Sequence, residues 1–217
     1  MNSLKAPAIE KTLRRLHEEA SSDGPRIALG FAKSMGLGLR PHHMKDAYIA
    51  VTRGQGQLLY ALARASKAKR LVEFGASFGI SAIYLGAAAR DNGGRLVTTE
   101  IEPNKIEAAR ANLSAAGLDD VAELRAGDAM ETLAHDEGAI DFLFLDGWND
   151  LYVPLMNLLG SRLSDGALVV VDNASFPGVK AFLERFRALT GFVSSRIESD
   201  KGAMEVACFV GPWESIA

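Results

Sequence analysis

The chain has 217 residues but only one cysteine, no long apolar run and no excess of basic residues. A single cysteine, Cys208, excludes an internal disulfide and suits a reducing, cytoplasmic compartment. No apolar run approaches the roughly 20 residues that span a bilayer, and the net charge of −3 offers no basic surface for nucleic acid. We therefore expect a cytoplasmic protein without membrane or nucleic-acid partners, with Cys208 as a small core residue.

The composition is that of one globular domain. Hydrophobic residues make up 48% of the chain and charged residues 24%, which is enough apolar material for one well-buried α/β domain. We predict a single domain over residues 1–217, with a helical N-terminal extension or lid over 1–50 and a catalytic core over 54–217. The charged N-terminus does not read as a signal peptide.

The N-terminal extension begins with an amphipathic pattern. Ile9, Leu13 and Leu16 recur at helical spacing, which predicts a helix that ends near residues 21–25. Residues 24–43 are rich in glycine and methionine, so they could form a mobile lid, with a plain loop as the default interpretation.

Helical and strand patterns alternate from residue 54 onward. Apolar runs predict strands at 71–74, 96–100, 121–125, 140–145 and 168–171. Helical patterns are centred on residues 58–62 and follow at 80–85, 103–117, 129–134 and 179–189. Continuous apolar strands are typical of a parallel sheet covered on both faces. Two last strands, 192–197 and 203–210, are joined by residues 198–202, which predicts an antiparallel hairpin.

A glycine turn joins the first strand to the helix behind it. The strand ends at Glu73, and Gly75 to Gly79 precede a helical pattern that starts at Ile80. A helix N-terminus after such a turn presents free backbone N–H groups to a polar ligand, and glycines let the backbone come close to it. The dinucleotide pattern G-x-G-x-x-G fits poorly, because Ser77 and Ile80 occupy its second and third glycine positions. An ordinary strand-to-helix turn remains an alternative.

Acidic residues follow the next two strands. Ligands of open α/β sheets bind beyond the carboxyl ends of the strands, so Glu100 is a candidate to accept the ribose hydroxyls of a nucleoside. Its alternative is a solvated acid on a loop. Asp128 and Ala129 follow the third strand and are placed for adenine contacts, although Asp128 could equally be only the N-cap of the helix behind it.

Three oxygen-bearing side chains follow the fourth and fifth strands. Asp146 ends the fourth strand, and Asp172 and Asn173 end the fifth. Two carboxylates and an amide suit a hard divalent cation such as Mg²⁺, with coordination positions left for a chelating substrate. Each acid alone could be a strand-end cap, but three such groups on one edge favour a metal site.

These segments resemble a known family, the class I S-adenosylmethionine-dependent O-methyltransferases, and within them the metal-dependent catechol and caffeoyl-CoA enzymes. The resemblance covers residues 50–210 and implies a Rossmann-like methyltransferase fold. The matching segments are Gly56-Gln57, Glu73-x-Gly75-x-x-x-Gly79-x-Ser81, Glu100-Ile101, Leu145-Asp146-x-Trp148-x-Asp150-x-Tyr152 and Val171-Asp172-Asn173.

The resemblance implies a site in which S-adenosylmethionine and a divalent cation, Mg²⁺, lie side by side. Asp146, Asp172 and Asn173 would bind the cation. Trp148 would wall the active site, with a core aromatic as its alternative. The cofactor-binding residues would be Val51, Thr52, Glu73, Gly75, Ser77, Gly79, Ser81, Glu100, Ile101, Asp128, Ala129, Asp146 and Trp148.

One departure concerns the general base. The family places a lysine three residues after the first metal aspartate, but this chain has Asn149 there, and Gly147 lacks the bulky side chain of the catechol enzyme. The catalytic residues are therefore predicted to be Asp146, Trp148 and the position of Asn149, with His43 as a replacement base. His42 and Lys45 are alternative bases. The preferred interpretation is that the metal alone activates the acceptor hydroxyl, without a protein base.

The expected reaction is methyl transfer to a hydroxyl of a small acceptor, resembling a catechol or another vicinal diol. A non-catalytic cofactor-binding or partner protein is the alternative, motivated by the missing lysine. A nicotinamide dehydrogenase ranks lower, because the glycine pattern and the terminal hairpin do not favour it. A homodimer is left open as the oligomeric state.

Overall fold

The structure is a computed structural model that describes residues 2–35, 38–135, 138–199 and 201–216. Within these ranges eight α-helices occur: α1 (Pro7–Ala20), α2 (Gly24–Ser34), α3 (Arg53–Ala65), α4 (Ile80–Asn92), α5 (Pro103–Ala115), α6 (Ala129–Thr132), α7 (Tyr152–Leu159) and α8 (Lys180–Arg187). The same ranges contain seven strands: β1 (Arg70–Phe74), β2 (Arg95–Glu100), β3 (Ala122–Ala126), β4 (Ile140–Leu145), β5 (Leu163–Val171), β6 (Phe192–Ser199) and β7 (Gly202–Phe209).

The strands form one sheet in the order β3-β2-β1-β4-β5-β7-β6. The pairs β1–β2, β1–β4, β2–β3 and β4–β5 are parallel. β7 runs antiparallel to both of its neighbours, β5 and β6. The predicted fold class is confirmed: an α/β, Rossmann-like methyltransferase fold with a mostly parallel seven-stranded sheet and a C-terminal antiparallel hairpin.

The strand order places the candidate site. The order reverses between β1 and β4, and such switch points open a crevice at the carboxyl ends of the strands. Phe74 pairs with Leu145, and Leu145 pairs with Val171, so β1, β4 and β5 all end at the same level. The residues that follow these three strands therefore lie side by side.

Helices cover both faces of the sheet, as the continuous apolar strands predicted. All five residues of β1 are buried. Val169 and Phe186 belong to the apolar core on one face, whereas Ile9 and Ile83 belong to the core on the other. Each such side chain contributes about 1.5–3 kcal/mol when fully buried. Helix α1 is thus packed into the second core.

The plain-loop interpretation of residues 24–43 is wrong for its first half, because α2 occupies Gly24–Ser34. Residues 36 and 37 of that segment lie outside the described residues. Pro25 stands in the first turn, where its fixed φ suits a helix. Gly30 is buried, and a Cβ atom there would lie 2.5 Å from Met44 Sδ. This glycine therefore serves close packing on the helix, not a loop.

Three further details differ from the sequence prediction. Helix α7 was not predicted, because its segment is apolar on nearly all sides and contains Pro154. Strand β5 begins at Leu163, five residues earlier than expected. Cys208 is only partly buried on β7, so its placement as a core residue is wrong. Residue 200, in the predicted hairpin turn, lies outside the described residues.

No helix of the described ranges is both long enough and apolar enough to cross a membrane.

Candidate active site

The glycine turn after β1 requires glycine at two positions. Gly75 has φ +98° and Gly79, just before α4, has φ +87°, values that L side chains rarely adopt. The amides of Gly75 and Ala76 donate to the carbonyl oxygen of Thr99 at 3.2 and 2.9 Å. A Cβ atom on Gly75 would lie 2.7 Å from the Cα atom of Gly147. The turn after β1 therefore touches the turn after β4.

Ser77 organises this turn with its amide and its hydroxyl. Its amide donates to Glu100 Oε2 at 2.7 Å, and its hydroxyl donates to the carbonyl oxygen of Tyr48 at 2.9 Å. It is itself held at φ +46°, a rare conformation for a non-glycine residue. The ring of Tyr48 stacks on Phe78, with 4.1 Å between centroids. Ser77 thus joins the N-terminal segment to the glycine turn.

Glu100 lies at the end of β2, as predicted, and is already held by the backbone. Besides Ser77, the amides of Ile101 and Glu102 donate to its Oε1 atom, each at 2.9 Å. A carboxylate accepts about four hydrogen bonds, so Glu100 retains room for about one more. Ile101 is half exposed beside it.

Glu73 is the most unusual carboxylate in the turn. It is fully buried, it accepts a hydrogen bond from the Thr98 hydroxyl through Oε2, and its Oε1 atom has no hydrogen-bond partner. Burial raises the pKa of Glu73 to about 7, with the hydroxyls of Ser81 and Thr98 acting against the rise. An unpaired buried carboxylate oxygen beside a glycine turn fits a cationic group of a ligand.

The raised pKa of Glu73 leads to a test by pH. The carboxyl stabilises the fold below its ordinary pKa of 4.5 and loses that contribution as the pH rises through about 7. Without ligand, Glu73→Gln should therefore be more stable than wild type at pH 9, by up to about 3 kcal/mol, and nearly equal at pH 5. Urea unfolding from pH 5 to 9 measures this, with the exposed Glu107→Gln as control. A difference that does not change with pH would contradict the assignment.

The remaining predicted cofactor residues have local roles in the described structure. Val51 is buried. Thr52 is the N-cap of α3, and its hydroxyl accepts from the amide of Gln55. Asp128 is the N-cap of α6 and accepts from the amide of Met130 at 2.8 Å, so the capping alternative is observed. Ala129, behind it, is buried in the core.

The predicted metal ligands lie together beside the glycine turn. The amide of Asp146 donates to the carbonyl oxygen of Phe74 at 3.0 Å, and the amide of Asp172 donates to that of Leu145 at 2.9 Å. Asn173 is held at φ +62°, and its Nδ2 atom lies 3.3 Å from Asp146 Oδ1. Its amide nitrogen thus faces Asp146, and the oxygen of the same amide is the end that could bind a cation.

The electrostatics of the two aspartates fit a cation. Burial, and then the charge of Asp172, raise the pKa of Asp146 well above its usual range. Burial also raises the pKa of Asp172. Two close carboxylates repel each other, and a divalent cation between them would remove that repulsion. No group of three His, Cys, Asp or Glu residues in the described ranges could hold a metal, so a cation at this place would need the Asn173 oxygen as its third ligand.

Two residues of this site have contacts that the sequence did not indicate, although Tyr152 belongs to one of the segments that carry the family resemblance. Gln55 is buried, donates to Asp172 Oδ1 at 3.1 Å and accepts from the amide of Thr52 at 2.8 Å. The Thr52-x-x-Gln55 spacing of a capping box could have located it. The Tyr152 hydroxyl is buried without a hydrogen-bond partner. Burial, and then the charge of Asp146, raise the pKa of Tyr152 well above its usual range.

The predicted catalytic residues are only partly brought together. Trp148 is half-buried and packs against the core beside the predicted ligands. Asn149 begins a short 3₁₀ turn at the rim. His43 accepts from the amide of Arg40 at 3.0 Å, and its ring lies 4.0 Å from that of His42. These contacts are local, and no described hydrogen bond links His43 to Asp146.

Three features define this fold as that of the methyltransferase class. They are the glycine turn after β1, the acids at the ends of the two strands beside β1, and one strand that runs antiparallel to the rest of the sheet. A family model described as a methyltransferase domain matches residues 72–174. Catechol O-methyltransferase from Mycobacterium tuberculosis is 38% identical over 126 residues, which cover 58% of this chain and 57% of that enzyme. The chain thus spans little more than half the length of that relative.

Longer matches extend the similarity. Catechol O-methyltransferase from Mus musculus is 30% identical over 184 residues, covering 79% of this chain and 69% of that protein. The crystal structure of the O-methyltransferase TomG from Streptomyces achromogenes, in complex with SAM, superposes with a TM-score of 0.68 at 28% identity and covers 78% of this chain and 86% of that one. This chain belongs to the S-adenosylmethionine-dependent O-methyltransferase family that includes catechol O-methyltransferase.

Proposed function

We propose that this protein transfers the methyl group of S-adenosylmethionine to a hydroxyl of a small, catechol-like or vicinal-diol acceptor with the help of a divalent cation, most simply Mg²⁺. One observation carries the proposal. The glycine turn and the candidate metal turn touch, because Gly75 packs against Gly147 and Asp146 is bonded to the end of β1. A methyl donor on the first turn and an acceptor on the second would then be neighbours.

The bound groups would supply the chemistry that side chains cannot: a sulfonium with a reactive methyl carbon, and a cation that lowers the pKa of the acceptor hydroxyl. The chain's own residues would hold the cofactor and the cation and align the acceptor with them. Glu73 and Glu100 would hold the two polar ends of the cofactor, and Asp146, Asp172 and Asn173 would hold the cation. Trp148 would exclude water from the acceptor.

The acceptor hydroxyl has to lose its proton during the transfer. The amide of Asn149 does not take up a proton near neutral pH, so Asn149 cannot be the general base. The local contacts of His43 favour release of the proton to the medium, and His43 stays the candidate if a base is needed. The named relatives do not favour the non-catalytic alternative.

Cofactor binding is tested through Glu100. Glu100→Ala should weaken the binding of S-adenosylhomocysteine by about 1–3 kcal/mol, the usual cost of losing hydrogen bonds to a charged group. Titration calorimetry measures this, with the neighbouring Glu102→Ala as matched control and NAD as negative ligand. Binding of NAD without binding of S-adenosylhomocysteine would rule out the proposed function.

A cytoplasmic location, a homodimer and a single domain with a lid over residues 1–50 stay predictions. The location rests on the cysteine content. The lid rests on the glycine- and methionine-rich composition of residues 24–43, whereas α1 packs into the core.

A further inference from the structure

A lysine from the terminal hairpin reaches across to the opposite side of the candidate site. Lys201 lies in the turn between β6 and β7, and its Nζ atom donates to the carbonyl oxygen of Ala50 at 2.8 Å. Ala50 directly precedes Val51, on the segment expected to lie against the methionine part of the cofactor. The side chain therefore spans the gap between the hairpin and the cofactor side.

The hairpin that carries this ammonium group also packs against the segment that follows the candidate metal ligands. The amide of Ala174, the residue after Asn173, donates to the carbonyl oxygen of Ala203 on β7 at 2.9 Å. No ion pair joins Lys201 to a carboxylate of the described residues. The ammonium group is thus carried beside the candidate site without being neutralised by one of those carboxylates.

The surroundings of Lys201 locate it at one edge of the candidate site. A Cβ atom on the next residue, Gly202, would lie 3.6 Å from Ser175 Oγ, on the segment that follows the predicted ligand Asn173. On the opposite side, Gln55 connects α3 to Asp172. Lys201 thus reaches from the segment after Asn173 to the segment that leads into α3, beside the predicted ligand Asp172.

The two cationic side chains of the hairpin are paired differently. Arg196 pairs with Glu198 at 2.6 Å and donates to Ser175 Oγ at 2.8 Å. Among the described residues, the ammonium group of Lys201 has the neutral carbonyl of Ala50 as its hydrogen-bond partner. Its charge is therefore available to an anionic group on the acceptor.

We propose that Lys201 determines acceptor specificity by binding an anionic substituent, a carboxylate, on a catechol-type acceptor. This inference rests on the proposed methyl-transfer function and adds the charge of the substrate to it. An ammonium is a compact point charge on a flexible stem, so it can leave the carbonyl of Ala50 for a carboxylate without moving the backbone.

The test compares two acceptors that differ in one charge, 3,4-dihydroxyphenylacetate and its methyl ester. The methylene group insulates the hydroxyls, so both acceptors should react with a similar kcat in saturating cofactor and Mg²⁺. Wild type should have a KM for the acid about tenfold below that for the ester. Lys201→Gln should raise the KM of the acid about tenfold and leave the ester and kcat unchanged, whereas Lys201→Arg should keep most of the preference.

Two controls separate this role from a structural one. Lys180→Gln, an exposed lysine on α8, should not change the preference. In wild type, raising the salt concentration should increase the KM of the acid alone, because salt screens charge pairs near the surface; this measurement does not depend on the stability of a variant.

The outcomes distinguish the inference from the function it rests on. Equal KM values for acid and ester in wild type, or a loss of kcat for both acceptors in Lys201→Gln, would overturn the specificity role and leave methyl transfer standing. Turnover of neither acceptor, with S-adenosylhomocysteine still bound, would overturn both.

Discussion

Replacing Asp172 by Asn should lower the rate of methyl transfer at least a hundredfold while leaving the fold intact. The amide keeps an oxygen that can accept from Gln55 but removes one of the two negative charges that would hold the cation. A bound cation supplies several kcal/mol of charge stabilisation in such reactions, and a hundredfold loss corresponds to about 2.7 kcal/mol. Initial rates with a catechol acceptor, at saturating S-adenosylmethionine and Mg²⁺, measure the effect.

Thermal stability distinguishes the loss of a cation ligand in Asp172→Asn from unfolding of the variant. Because burial raises the pKa of Asp172 in the fold, the fold favours the protonated carboxyl, and the stability that this form contributes is lost as the pH rises through that pKa. In EDTA near neutral pH, Asp172→Asn should therefore melt no lower than wild type. Mg²⁺ should raise the melting temperature of wild type more than that of the variant.

The control for this substitution is Asp150→Asn, an exposed acid in the neighbouring turn, which should retain the activity and the Mg²⁺ response. Full turnover of wild type in EDTA would show that the carboxylates are structural and that methyl transfer needs no cation.

The second large effect is expected at Gly75. Gly75→Ala should abolish S-adenosylhomocysteine binding and lower stability by several kcal/mol. Its Cβ atom would approach the Cα and N atoms of Gly147 to 2.7 and 2.8 Å, so the turns after β1 and β4 would have to separate. Backbone atoms cannot rotate away as a flexible side chain can. Calorimetric titration and thermal melting together measure the loss.

Gly93→Ala isolates the steric part of that effect. Gly93 also has a positive φ, +67°, but a Cβ atom there meets nothing within 4 Å. Gly93→Ala should lower the stability of the fold by only about 1–2 kcal/mol, the strain of a side chain in the left-handed region. It should leave cofactor binding unchanged. Similar losses at Gly75 and Gly93 would mean that conformation, not the contact with Gly147, makes glycine necessary.

Sequence reasoning located the edge of the site because its residues are adjacent to strongly apolar strands. Asp146 and Asp172 each follow such a strand directly, and parallel strands that end level bring their next residues together. The position of Glu100 at the end of β2 was predicted for the same reason. In these cases one local pattern fixed both the element and the position of the polar group.

The residues that were missed make contacts with residues far away in the sequence. Nothing near Gln55 in the sequence indicates that it contacts Asp172, and Lys201 reads only as a polar turn residue. Helix α2 was read as a loop because Gly30 suggested flexibility, whereas its use is a close approach to Met44 that depends on tertiary packing. Local preferences do not specify such contacts.

The two bonds that close the site also determine when it can form. Gln55 and Asp172 are 117 residues apart, and Ala50 and Lys201 are 151 residues apart. Closing loops of this length costs entropy before any contact compensates for it, and non-local pairings slow folding. During synthesis, β1, α4 and β2 can pair while the rest is still in the ribosome, since chains fold from the N-terminal end first. The side of the site that Lys201 closes is completed only after the hairpin emerges, so a nascent chain forms its glycine turn well before the proposed acceptor side.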